Sequence, residues 1–179
     1  MRLFIAINFN NDTCSRLLAL RDKLREHSRY GNFSHRENLH LTLAFLGECN
    51  AKQHTDVKSV FDAITFDPFK IIIDHAGRFK RGGGDIWWAG VRDNPALTKL
   101  QGKLSERLRL IGFMLEDRKY SPHITLGREV ITDYAFDKIE PFGEIVNTVD
   151  LMKSERIGGK LVYTKLYNTS TDSHRSVGV

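Results

Sequence analysis

The chain has 179 residues, 41% of them hydrophobic and 27% charged. That size and balance suit one compact domain and exclude a disordered, collagen-like or purely coiled-coil chain. Lys and Arg outnumber Asp and Glu by 27 to 22, for a formal charge of +5, a bias toward anionic partners that permits RNA or phosphate chemistry without requiring either. The two cysteines, Cys14 and Cys49, make neither a disulfide framework nor a zinc or redox spacing, which points to a reduced, cytoplasmic compartment. No apolar run is long enough for a membrane span, and MRLFIAINF lacks the basic start and cleavage site of a signal peptide, so it reads as a first strand.

That strand covers Arg2 to Ile7. Asn10, Asn11 and Asp12 then offer caps for a helix whose stripe is Cys14, Leu17, Leu18 and Leu24. A short extended piece from Gly31 to His35 precedes a strand from Leu39 to Leu46. Val57, Val60, Phe61 and Ile64 mark one face of a second helix, Lys52 to Thr65, stopped by Asp67-Pro68. The strands FKIIID and DIWWAGV flank HAGRFKRGGG, which reads as a basic hairpin loop with a long mobile tip at Gly82, Gly83 and Gly84.

Asn94-Pro95 starts a third helix with Leu97, Leu100, Leu104, Leu108 and Ile111 as its buried stripe. The strand HITLGR follows, then an irregular stretch near Ile131 to Phe136 and two strands, Glu144 to Met152 and Lys160 to Tyr167. The order predicts an α+β fold, bilobal, with two pseudo-symmetric halves of antiparallel or mixed sheet lining a central cleft and helices outside. Residues 1–168 form one domain of two lobes and 169–179 a polar tail. The chain carries no GxGxxG or P-loop motif, and the GGG run before a strand has the wrong context for cradling phosphate.

The informative feature is a short repeat, His40-Leu41-Thr42-Leu43 and His123-Ile124-Thr125-Leu126. Fewer than one H-x-T triplet is expected by chance from this composition, yet two occur, each continued by Leu in a predicted strand. The period of two puts each His and Thr on one face. Two imidazoles around one phosphorus supply a general base and a general acid near neutral pH, and two threonine hydroxyls can hold phosphate oxygens. Such a set needs no metal or other cofactor. Against it stand half-buried strand histidines with threonines chosen for β propensity, a reading that fits one copy better than two, and a zinc site, for which the repeat lacks Cys, Asp or Glu. A near-symmetric pair does not reveal which histidine is acid and which base.

With its flanks the repeat resembles the 2H phosphoesterase superfamily, specifically the RNA 2′,3′-cyclic phosphodiesterase family long called 2′-5′ RNA ligase. The resemblance rests on RLFIAINF, ENLHLTLAFLGE, HAGRF with WWAGV, RKYSPHITLGR, and Ser154, Gly159 and Tyr163, and covers Arg2 to Tyr167. It implies a pseudo-twofold bilobal fold that opens 2′,3′-cyclic phosphate ends of RNA to 2′-phosphates, on tRNA fragments or cyclic nucleotides, as a monomer. It also implies His40 as proton donor and His123 as proton acceptor, with Arg118 and Arg128 at matching basic positions as candidate substrate contacts; Phe33, as a stacking surface or core residue, and Arg81 of the basic loop are further candidates.

Strict alternation from His123 sends Arg128 to the far face unless the strand ends first. Phe33 stands where relatives often have Trp, and Gly127 where they have Ala; Lys80 and Arg81 replace a proline-led turn. Two other readings are 2′-5′ ligation or cleavage of 2′-5′ linked oligonucleotides by the same histidines, and a non-catalytic RNA-binding domain.

Overall fold

The computed structural model describes residues 1–171. Its elements run β1 (Arg2–Asn8), α1 (Asn11–Glu26), β2 (Tyr30–Phe33), β3 (His40–Glu48), α2 (Ala51–Ala63), β4 (Phe69–Lys70), β5 (Ile73–Phe79), β6 (Asp85–Val91), α3 (Pro95–Leu110), β7 (His123–Ile131), β8 (Ile145–Val146), β9 (Thr148–Ile157) and β10 (Lys160–Ser170). One sheet has the order β10-β9-β1-β3 and the other β2-β7-β6-β5, while β4 and β8 pair as a small ribbon. Each of these ladders is antiparallel, so the two-sheet α+β expectation resolves to antiparallel sheets. The units β1–α1–β3 and β6–α3–β7 correspond, each ending on an H-x-T strand.

The helices start where the sequence caps them. Asn10, Asn50 and Asn94 each accept a backbone N–H of the first turn with their side chains, and Gln53 completes a capping box on α2. The helices also cross between lobes. Leaving β1 of the first sheet, α1 packs on β2 and β7 of the second; leaving β6 of the second sheet, α3 packs on β3 of the first. One apolar cluster therefore runs through both lobes, from Leu3, Ile5, Ile7 and Leu41 to Leu104, Ile124 and Leu126. The opposite face of the first sheet carries a small separate cluster, Phe4, Ala6 and Met152 with Tyr163 against it.

Both motif strands contain the same irregularity. Opposite β1, Thr42 pairs with Ala6 and Ala44 with Ile5, leaving Leu43 as an extra residue. Opposite β6, Thr125 pairs with Trp88 and Gly127 with Trp87, leaving Leu126 as the extra one. A bulge of this kind bends its strand and resets the alternation of the residues beyond it. The first six residues of β3 and β7 share one burial pattern, with His and Thr half-buried, the next two positions after Thr buried and the sixth exposed.

Three expectations are corrected. The stretch from His75 to Phe79 is strand, because His75, Gly77 and Phe79 share one face with the Trp88 ring while Arg78 turns to the other face, 3.1 Å from Asp85 and over the Trp87 ring. The loop shrinks to the turn between Phe79 and Asp85. Glu144 to Met152 is split into β8 and the start of β9. The predicted tail begins too early, since β10 pairs through Ser170 with Thr148 and Thr171 is buried; the rest of the predicted tail, 172–179, lies outside the described residues.

The hairpin turn is anchored at one glycine. Gly84 has φ +114, and a Cβ there would stand 2.5 Å from the Glu129 carbonyl carbon, whereas Gly83 has open space around it. Gly84→Ala is expected to cost about 1–3 kcal/mol in urea unfolding, and Gly83→Ala less than about 0.5 kcal/mol. Equal effects of the two would show that the turn is not held against β7.

Candidate active site

His40 opens β3 and His123 opens β7, two strands that lie against each other across the lobes. Each imidazole sits among aromatic rings. His40 lies 4.9 Å from Phe4 and 5.1 Å from Tyr163, ring centre to ring centre, and these two pack edge-to-face on each other. His123 lies 5.1 Å from Phe79 and 6.2 Å from Trp88. The Phe4 contact places His40 on the same face as the Phe4–Ala6–Met152 cluster, away from the main core.

Backbone carbonyls orient the rings. The Ser121 carbonyl lies 2.8 Å from His123 Nδ1; since a carbonyl can only accept, that nitrogen carries the proton and Nε2 is left to exchange one. For His40, Nδ1 has no partner at hydrogen-bond geometry, yet the Asn38 carbonyl favours its charged form in the same sense. Asn38 and Ser121 each stand two residues before their histidine.

Burial dominates the titration of both rings. It lowers His40 to about 4 against the Asn38 carbonyl, with the positive charge of Arg128 and the proximity of His123 adding to the shift. His123 is lowered for the same first reason, with Arg118 and Arg128 adding to it and Ser121 opposing. The unfolded chain protonates His40 near 6.5 and the folded chain only near 4. The folded state therefore loses stability as pH falls through that window, by at most about 3 kcal/mol from this residue.

The predicted substrate contacts separate. Arg128 acts on both histidines, which overturns its placement on the far face: the extra residue Leu126 resets the alternation between Thr125 and Arg128. Arg118 is exposed, within reach of His123 and paired to Glu116. Arg81 lies in the exposed hairpin turn, its guanidinium donating to the Lys80 carbonyl and its N–H to Asp85. Phe33 pairs opposite Gly127 and lies across Gly31 and Gly127 beside Val130, packed on the core. It makes no ring contact with either histidine among the described residues.

A model of the 2′-5′ RNA ligase superfamily matches residues 10–157. The chain belongs to this superfamily. It is 32% identical to the RNA 2′,3′-cyclic phosphodiesterase of Archaeoglobus fulgidus over 131 residues, 72% of each chain. The enzyme of the same name from Thermotoga maritima is 32% identical over 152 residues, 78% of this chain and 81% of that one. In structure it is similar to Escherichia coli LigT complexed with 3′-AMP, with a TM-score of 0.83, 28% identity, and coverage of 96% of this chain and 98% of that one. These likenesses extend over both lobes of the superfamily fold.

Sequence reading passes over several residues of the site. Phe4 falls inside a stretch that carries the resemblance and Tyr163 is one of its single residues, but neither has a polar repeat to mark it as part of the site; alternation along β1, with Asn8 opposite His40, is the signal that exposes Phe4. Asn8 Nδ2 donates to the buried Asp150 carboxylate at 2.6 Å, and Lys165 Nζ lies 3.0 Å from its other oxygen. The register of three strands is needed to see that group.

Arginine positions are open to direct measurement. In NMR titrations His40 and His123 should both titrate below 6.5, Arg128→Gln should raise both, and Arg118→Gln should raise His123 alone. Unchanged values in Arg128→Gln would put its guanidinium out of reach of the histidines.

Proposed function

We propose that this chain is an RNA 2′,3′-cyclic phosphodiesterase that opens the cyclic end to a 2′-phosphomonoester. The observation that carries it is the pair of H-x-T strands, alike in bulge and burial, which lie against each other with Arg128 acting on both imidazoles and His123 acting on His40. The family and its cyclic phosphodiesterases give the substrate class, and E. coli LigT complexed with phosphate gives an anion bound by a similar fold.

His123 takes a proton from water as the water oxygen attacks phosphorus. The bond from phosphorus to the 3′ oxygen breaks, and His40 gives that oxygen its proton, leaving the phosphate on the 2′ oxygen. Thr42 and Thr125 donate hydroxyl hydrogen bonds to the non-bridging oxygens as charge builds on them. Arg128, with Arg118 at the rim, holds the phosphate; the positive charge of Arg128 lowers both imidazole pKa values, and the bound anion raises them. Arg81 and Phe33 stand further out, and their contribution is to longer RNA. We place the enzyme in the cytoplasm as a monomer of one two-lobed domain, acting on RNA fragments, tRNA fragments and cyclic nucleotides among them. Its two free cysteines are buried with raised thiol pKa values. Among the described residues no helix is long and apolar enough to cross a membrane.

His40→Ala and His123→Ala should each lower turnover of a 2′,3′-cyclic nucleotide by about 10²-fold to 10⁴-fold, with the phosphate of the wild-type product on the 2′ oxygen and no loss after chelation. An aryl phosphodiester with a nitrophenolate leaving group needs no acid, so it should rescue His40→Ala and not His123→Ala. Rescue of His123→Ala instead would exchange the two roles.

The pH profile follows from the lowered imidazoles. The productive state has His40 charged and His123 neutral, so kcat/KM, which reports the free enzyme, should fall above the lowered pKa of His123, below 6.5. The substrate anion stabilises both imidazoliums, so the limbs of kcat should lie at higher pH than those of kcat/KM. Coincident profiles would show that the bound phosphate does not reach the histidines.

A further inference from the structure

Each motif strand is gripped by the segment that leads into the other one. The Thr42 carbonyl accepts the Tyr120 hydroxyl at 3.0 Å, and the Thr125 carbonyl accepts the Ser34 hydroxyl at 2.7 Å. Tyr120 lies three residues before His123, and Ser34 lies between β2 and β3 on the approach to His40. Of the two extra residues, the Leu43 carbonyl accepts Gln101 Nε2 of α3 at 3.3 Å, and the Leu126 carbonyl accepts the Ser34 N–H at 2.9 Å as the β2–β7 ladder runs out.

These bonds fall where each ladder is interrupted. Thr42 and Thr125 immediately precede the extra leucines, so their strands are least constrained there by β1 and β6. Their side chains are also the ones that face the phosphate in the proposed reaction. The contact between β3 and β7 joins no ladder of either sheet. The Tyr120 hydroxyl reaches β3 from the segment that enters β7, and Ser34, which extends the β2–β7 ladder, pins to β7 the point from which the chain crosses to β3, so these two hydroxyls act on the spacing of the motifs more directly than the sheets do. Tyr120 is largely buried and its phenol is pushed up by burial, which keeps it a neutral donor at working pH.

We propose that Tyr120 and Ser34 are positioning residues, a reciprocal pair of hydroxyl clamps that sets the separation of the two H-x-T motifs and so lets both imidazoles reach one phosphorus. The inference rests on the two-histidine reading above. Its chemical consequence is specific: loosening the clamp harms a reaction that needs acid and base together and spares one that needs the base alone.

The test compares two substrates. Tyr120→Phe keeps the ring and removes the hydroxyl; Ser34→Ala keeps the N–H bond to Leu126 and removes the other; Ser34→Thr restores a hydroxyl. On a 2′,3′-cyclic nucleotide, Tyr120→Phe and Ser34→Ala should each lower kcat by about 10-fold to 10²-fold, the scale of an ångström of misplacement, with KM changed less than about 3-fold. On the nitrophenyl phosphodiester the same variants should lose less than about 3-fold in kcat, and Ser34→Thr should recover most of the loss on the cyclic substrate. Equal losses on both substrates, or wild-type kcat in folded Tyr120→Phe and Ser34→Ala, would overturn the clamp. Should Tyr120→Phe fail to fold, Ser34→Ala against Ser34→Thr decides alone. A wild-type protein inert toward cyclic substrates would instead overturn the two-histidine reading.

Discussion

An extra residue after each catalytic threonine candidate, Leu43 in β3 and Leu126 in β7, governs what the two strands can present. A regular strand would send every second side chain to one face and satisfy each carbonyl from its neighbour. The extra residue does neither. It buries two consecutive positions, Leu43 with Ala44 and Leu126 with Gly127, and brings the side chain after them back to the histidine face. It also weakens the ladder beside the threonines, where polar backbone still has to be satisfied. For β3 the partner is Tyr120, from the segment that enters β7, and the break becomes a tie between lobes; for β7 it is Ser34, at the end of β2 where the chain leaves that sheet for β3.

The crossing of α1 and α3 serves the same end on a larger scale. Each helix covers the sheet that it did not leave, and neither lobe can bury its apolar face without the other. One cluster spans both, and its burial, of order 1.5–3 kcal/mol for each large side chain, far exceeds what individual hydroxyl bonds contribute at about 1 kcal/mol. The core therefore holds the lobes together, while the hydroxyl bonds act on their register at the motifs. Stability and alignment are carried by different interactions.

Much of this is legible in the sequence because local signals agree with the final packing. The Asn caps and stripes of α1 and α3 and the two H-x-T strands are each read from residues within one turn or strand of one another. The failures share a cause as well. Arg128 is misplaced by alternation because a bulge leaves no local mark beyond a Leu in an apolar strand. His75 to Phe79 reads as loop because glycines and basic residues hide an alternation that only Trp87 and Trp88 on β6 make sense of. The exchange of helices and the hydroxyl bonds of Ser34 and Tyr120 join residues far apart in the chain, and no local pattern contains them.

The backbone repeats between the lobes, but the side chains do not. The exposed position that follows the bulge is Phe45 in β3 and Arg128 in β7. Phe45 lies toward Phe4, 6.1 Å between ring centres, whereas Arg128 lowers the pKa of both imidazoles. Arg118 adds a second positive charge on the side of His123 alone. A site with two equivalent halves would accept a cyclic phosphate in either direction and give its histidines interchangeable tasks. Here one half supplies charge and the other an aromatic surface beside the more deeply desolvated imidazole. In the proposed reaction the anion is drawn by the β7 side, and its negative charge offsets the desolvation that lowers His40. In that reaction His40 gains its proton as a consequence of substrate binding, and the charge that acts on one imidazole without the other is that of Arg118 on His123.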